Sequence, residues 1–195
     1  MPAQWFPEAT KNDLGDHAPC EQDKPPKAIA HITADEEATA SRPLPLKPFA
    51  DLKSFFTGSG RGSAPHILWD PFTGKFAQFF PATSRCKALA DPPGGIKPNR
   101  TGKVVIQIEA LFFPHCRVGN KVFAKLTDTP LRGWDELHAW VRSWGVPDRW
   151  PMGRPTSLTV KTAPLSVWNS KPGWYAHANA PENDHRDPGT WPKLA

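Results

Sequence analysis

Apolar residues along this chain fall into short runs separated by long polar, proline-bearing stretches. Residues 27–31 (KAIAH) have the length and character of a buried strand. Over residues 48–58 the period changes. Leu52, Phe55 and Phe56 share one face, Pro48 suits a first turn and Gly58 a stop, which predicts a short helix. Residues 66–70 (HILWD) and 75–80 (KFAQFF) predict two strands joined by PFTG, a turn carrying Pro and Gly. The most continuous run, 103–113 (KVVIQIEALFF), is β-branched and apolar on both faces, so it predicts a central strand. Residues 133–144 (GWDELHAWVRSW) set Trp134, Leu137, Val141 and Trp144 at helical spacing, with Gly145 as the stop. Between 146 and 174 one further strand is expected, at SLTVKT.

The remaining segments read as loops. Residues 1–26 are polar, Pro-rich and aperiodic, an extended arm that Trp5 and Phe6 could pin to the body. Residues 34–48, 90–102 and 177–195 carry no period either. There is no repeat and no linker. The expectation is a single α/β domain over residues 27–195, with a central mixed sheet flanked by helices, preceded by the arm.

Composition narrows this. The chain has 195 residues, 38% of them hydrophobic, together with 14 Gly, which suffices for one globular core. Its 24 Pro exclude an architecture of long helices. No run of 18 apolar residues exists, so no membrane-spanning helix is expected. The first residues have neither a basic start nor an apolar stretch, so no secretory signal is expected. The net charge of +5 favours anionic partners. Its basic residues are scattered with no run of five, so nucleic acid is not expected as a partner. Cys20, Cys86 and Cys116 are odd in number and lack CxxC spacing. They read as buried or half-buried free thiols, or as one nucleophile without a recognisable setting.

The residues able to carry chemistry are few. His138 reads as an ordinary helical residue, and His17 and His115 have no sequence partners. His31 closes an apolar strand, the place where open sheets put their sites, though a satisfied core histidine reads the same way. His177 follows Trp174 and Tyr175 and opens a loop holding His185 and Asp187. Two imidazoles and a carboxylate are the ligands of a catalytic zinc with its fourth position open. Five prolines from Pro164 to Pro192 would stiffen that loop. Glu109 stands alone in an apolar strand, where burying an unpaired charge costs several kcal/mol. It is either a general base whose pKa is raised by its surroundings or an exposed strand end paired with a surface lysine. The nine tryptophans suit stacking on a ligand in a groove, or core packing.

Five stretches, in order, resemble the zinc-dependent N-acetylmuramoyl-L-alanine amidases, a family that includes phage endolysins and shares its fold with the peptidoglycan recognition proteins. KAIAHITAD resembles the first strand ending in a zinc histidine. APHILWDPFTGKFAQFFP resembles the hairpin, and NRTGKVVIQIEALF the strand that carries the catalytic glutamate. LHAWVRSWGVP resembles the helix ending in Gly-Ile/Val-Pro, and HANAPENDHRDPG the closing His…Pro-x-Asn-x-His-x-Asp-Pro-Gly. The resemblance implies zinc held by His31, His177 and Asp187, with Glu109 as the base working on the metal's water. His185 stands where many relatives have an oxyanion-stabilising lysine, and His66 and Asn99 match positions near the substrate groove.

It further implies hydrolysis of the amide between N-acetylmuramic acid and L-alanine in bacterial peptidoglycan, by a monomer made in a host cytoplasm and acting on the wall after release. Two alternatives stay open: a peptidoglycan-binding module of the same fold without catalysis, and another zinc hydrolase of the wall. Many relatives continue past Asp-Pro-Gly with a helix where this chain has TWPKLA. The expectation is therefore a compact enzyme or the catalytic domain of a longer protein.

Overall fold

A computed structural model describes residues 1–35, 37–181 and 184–194. Glu36, Glu182, Asn183 and Ala195, all in stretches expected to be loops, lie outside the described residues. In chain order the strands and helices are β1 (Thr10–Lys11), β2 (Lys27–Ile32), β3 (Leu44–Pro45), α1 (Phe49–Thr57), β4 (Ile67–Asp70), β5 (Lys75–Gln78) and β6 (Val105–Ala110). They continue with β7 (Cys116–Val118), β8 (Lys121–Phe123), α2 (Trp134–Ser143), β9 (Thr156–Ser157), α3 (Leu165–Ser170), β10 (Gly173–Ala176) and β11 (Gly189–Thr190).

The main sheet is mixed, six strands in the order β1-β5-β4-β6-β2-β10. β4, β6, β2 and β10 run parallel to their neighbours, and β5 turns back antiparallel on β4. β6 sits inside the sheet, as its two apolar faces require. This is the α/β single-domain class expected from the sequence.

The faces of the sheet are unequal. Ala28, Ala30 and Ile32 of β2 and Ile106, Ile108 and Ala110 of β6 pack into the largest apolar cluster, with Leu137 and Val141 of α2. The other face carries two smaller clusters. One gathers Phe56 of α1 with Leu68, Phe79 and Leu111. The other gathers Trp168 of α3 with Ile29, Val105 and Tyr175. Between Val105 and Leu111, the alternation of side chains along β6 puts Gln107 and Glu109 on this second face. His31 follows Ile29 on the same face of β2. The gap between the two small clusters is where polar groups collect.

Three local expectations need correction. Of SLTVKT only Ser157 is in a strand, the two-residue β9, and Leu158 and Val160 are exposed. With no apolar partner to cover them, alternating residues do not make a longer strand. The strand of this region is instead β10, GWYA, buried on both faces. It is too short to show a period, and Gly173 starts it at φ +135°, where a Cβ would lie 2.5 Å from the Arg149 carbonyl oxygen. Finally, the first residues do more than lie on the body. β1 extends the sheet edge beside β5, and Phe6 is buried against Phe76 and Trp140. Cys20, Cys86 and Cys116 are buried and free, as expected.

Candidate metal centre

Three adjacent parallel strands bring the site together at their carboxyl ends, where an open sheet leaves side chains uncovered. His31 is the fifth residue of β2, paired in register with Glu109 of β6. Ala30 pairs with Ala176, the last residue of β10, and His177 follows as the chain turns into a short 3-10 segment. Asp187 arrives from the closing loop and is pinned twice. Its backbone carbonyl accepts from the Ala178 N–H at 3.0 Å, and its Oδ2 accepts from the Ile32 N–H at 3.2 Å.

The result is a tight set of donors. His31 Nδ1 and His177 Nδ1 lie 2.9 Å apart. His177 Nδ1 is 3.2 Å from Asp187 Oδ1, and His31 Nδ1 is 3.9 Å from Asp187 Oδ2. A tetrahedral ion with ligands at about 2.0–2.1 Å would hold its ligand atoms roughly 3.3 Å apart, so these separations bracket what a bound ion needs. All three side chains are buried, and among the described residues this is the one group of three or more such ligands close enough to share an ion. Burial, then the neighbouring His177, holds the His31 imidazole down to about 3, so at neutral pH its ring is uncharged and has a lone pair to give. Burial by itself would raise the Asp187 carboxyl. The hydrogen bond to His177, the electrostatic pull of the two imidazoles and the Ile32 N–H outweigh it and hold Asp187 below the ordinary carboxylate range. Two imidazole nitrogens and a carboxylate fit a divalent cation, and the residues present could hold one.

Two further residues flank the set. Glu109 faces the cavity and makes no hydrogen bond or ion pair among the described residues. Burial first, and the Asp187 carboxylate second, push its pKa well above the ordinary value. The exposed-strand-end reading, with a surface lysine as partner, does not describe it. The His185 ring stacks on His177 with centroids 4.0 Å apart and planes 15° from parallel, and its side chain is 58% exposed. Burial and then His177 lower its pKa. A cavity of about 300 Å³ opens over His31, Glu109, His177, His185 and Asp187, with Leu52 and Phe55 of α1 on its wall.

The tryptophans stand apart from this cavity. Six of the nine are buried in the core, and none lines the cavity, so the aromatic surface offered there is phenylalanine. His66 and Asn99 do not line it either. Both are buried, His66 completely. His66 Nε2 donates to the Ser84 carbonyl at 2.9 Å, and the Asn99 side chain bonds the Leu89 peptide. His138 pairs with Asp148 at 2.6 Å and stacks on Trp134, a contact that ties α2 to the following loop. Gln107, two residues before Glu109 on the same face, was not singled out from the sequence. Its signal was available, since it is the second polar side chain in that apolar strand.

Comparison of the sequence with protein-family models and with curated proteins finds no match. The fold is similar to that of the Staphylococcus aureus hydrolase AmiA, solved in complex with its ligand, with a TM-score of 0.50 and 11% identity. The likeness covers 94% of this chain and 74% of that one. The endolysin N-acetylmuramoyl-L-alanine amidase LysCS of Clostridium intestinale matches with a TM-score of 0.39 and 11% identity, over 96% of this chain and 91% of that one. At such identity the likeness to AmiA speaks to the fold. No helix among the described residues is long and apolar enough to cross a membrane.

Proposed function

We propose that this chain is a zinc-dependent hydrolase of bacterial peptidoglycan that cleaves the amide bond between N-acetylmuramic acid and L-alanine. One observation carries the reading: His31, His177 and Asp187 converge on a cavity, with the carboxyl group of Glu109, unpartnered among the described residues, beside them. A fold like that of the hydrolase AmiA and the five amidase-like stretches of sequence support it. A binding module would have no use for a complete ligand set next to a carboxyl group with a raised pKa.

Zinc held by these three residues would polarise the scissile carbonyl and lower the pKa of a water at its open position. Glu109 takes the proton of the attacking water and passes it to the departing alanine nitrogen. A carboxyl whose pKa is raised by burial suits both halves of that transfer. His185, open to solvent and braced against His177, presents a ring N–H to the carbonyl oxygen as charge develops there. Leu52 and Phe55 supply an apolar wall against which the lactyl and alanyl methyl groups pack. The positive net charge draws the protein towards an anionic wall.

Digestion of purified peptidoglycan followed by mass spectrometry tests the assignment. The expected products carry a free lactyl carboxylate on muramic acid and a new N-terminal alanine. Cleavage within the stem peptide, loss of acetyl groups from the glycan, or binding without products would each overturn it.

A further inference from the structure

His66 and Asn99 are buried, and both grip the same residue, Gln107. The Gln107 N–H donates to His66 Nδ1 at 3.1 Å, and the Gln107 carbonyl accepts from the His66 N–H at 3.1 Å. The side chain is oriented by a second chain of contacts that begins at a backbone peptide. The Leu89 N–H donates to Asn99 Oδ1 at 3.2 Å, and the Leu89 carbonyl accepts from Asn99 Nδ2 at 2.6 Å. A peptide has one donor and one acceptor, so it settles which way the Asn99 amide faces. Asn99 Oδ1 then accepts from Gln107 Nε2 at 2.8 Å, which settles the Gln107 amide in turn. What remains at the far end is Gln107 Oε1, an acceptor, fully buried and without a partner among the described residues.

A second orphan lies next to it. His31 Nε2 is also buried with no hydrogen bond among the described residues, and the register that pairs Ile29 with Gln107 and His31 with Glu109 makes His31 and Gln107 diagonal neighbours on one face of the sheet. Two unpaired buried polar atoms, one of which can only accept, satisfy each other when the histidine carries its proton on Nε2. A neutral imidazole has a single N–H. With it on Nε2, Nδ1 keeps its lone pair and points it at His177 Nδ1 and Asp187. With it on Nδ1, His31 could not be a ligand through the atom that the structure turns towards the other two.

We propose that Gln107 is a positioning residue for His31: its Oε1 accepts the Nε2 proton, fixes the tautomer and ring plane, and so keeps Nδ1 ready for the metal. Asn99 and the Leu89 peptide set the polarity of that contact, and His66 holds the backbone that carries it. The inference rests on reading the triad as a metal centre.

Wild type, Gln107→Leu and Gln107→Glu separate the possibilities. Long-range ¹H–¹⁵N spectra of the metal-free protein report the His31 tautomer, and competition with a chromophoric chelator reports zinc affinity. Wild type is expected to carry the His31 proton on Nε2. Gln107→Leu is expected to bind zinc roughly 10- to 100-fold more weakly, the usual effect of losing such a support. Its spectra should mix the two tautomers while its far-ultraviolet circular dichroism stays that of wild type. Gln107→Glu, which keeps an acceptor in place, should recover most of the affinity. A proton on Nδ1 in metal-free wild type would overturn the proposal, and so would wild-type affinity in Gln107→Leu. The tautomer of wild type decides the matter even where the leucine variant does not fold. Wild type that binds no zinc at all would sink the metal-centre reading, while the spectrum would still judge the Gln107 contact on its own.

Discussion

The two ends of β2 bury opposite kinds of polar group. At the amino end, Lys27 is fully buried, with Nζ donating to the carbonyls of Thr101 at 2.6 Å and Pro25 at 3.2 Å, and 5.5 Å from the ring centroid of Trp168. At the carboxyl end, His31 turns one ring nitrogen towards His177 Nδ1 and the Asp187 carboxylate and leaves the other unpaired among the described residues. The first end is closed, since its donors meet backbone oxygens. The second gathers two ring nitrogens and a carboxylate within reach of one ion, the arrangement a cation can fill. The pair His138–Asp148 makes the same point from another side. At 2.6 Å, with Arg142 on the second carboxylate oxygen at 3.3 Å, it is complete as it stands and serves to hold α2. A histidine touching an aspartate is therefore not a site, and a second imidazole on the same carboxylate makes the difference.

Substitutions at the two ends should act on different quantities. Glu109→Gln is expected to lower turnover about 10²- to 10⁴-fold, the scale of a general base, with zinc content and melting temperature kept. Stability should not fall, because no partner is lost. Near-normal lysis by a folded, zinc-loaded variant would return Glu109 to a structural role. His185→Ala comes next, with a loss of about 10²- to 10³-fold in kcat if it is the oxyanion donor. An unchanged rate would leave His185 as a brace for His177.

At the closed end the effect is on folding. Burial lowers the Lys27 pKa from 10.5 to about 8. Below pH 8 both folded and unfolded chains carry the proton, and keeping it in the folded state costs about 3 kcal/mol. From pH 8 to 10.5 the folded state loses its proton first and the cost fades, so this residue makes stability rise with pH. The buried thiols act the other way. Cys20 and Cys116 are pushed up from 9.0 to about 11, so stability falls as the unfolded chain ionises above pH 9. Urea titrations of wild type and Lys27→Met across this range isolate the lysine. The stability advantage of the methionine variant should shrink by about 3 kcal/mol between pH 7.5 and 10.5. A flat difference would mean that Lys27 is solvated and the contrast between the two ends is overdrawn.

The smallest expected effect is on the cavity rim. A Cβ on Gly60 would lie 2.1 Å from Phe55 Cε1, so Gly60→Ala must swing that half-exposed ring aside. The Gly60 backbone, at φ −86°, accepts alanine without strain. Stability should stay within about 0.5 kcal/mol and zinc content should not change, while KM for soluble muramyl-peptides rises severalfold. An unchanged KM would exclude Phe55 from substrate contact.

Much of this arrangement was legible in the sequence, for identifiable reasons. His31 and Glu109 stood out because a polar residue in an apolar strand needs a partner or a purpose. His177, His185 and Asp187 stood out as two imidazoles and a carboxylate in one stiffened loop. The structure brings all five to one cavity. The sheet order and the identity of β10 were not legible. Four residues buried on both faces have no period, and a long-range pairing such as Trp174 with Ala28 leaves no local trace. Gln107 went unseen because its meaning depends on Asn99 and His66, which contact it only once the fold has formed.

The central claim is that His31, His177 and Asp187 together hold one zinc ion. Native mass spectrometry of protein purified with zinc, compared with His177→Ala prepared in the same way, tests it most directly. The account predicts one zinc per wild-type chain, and a variant that keeps its fold but loses the ion on dialysis against a weak chelator. Stoichiometric zinc retained by His177→Ala, or a wild-type chain that takes up none, would contradict it.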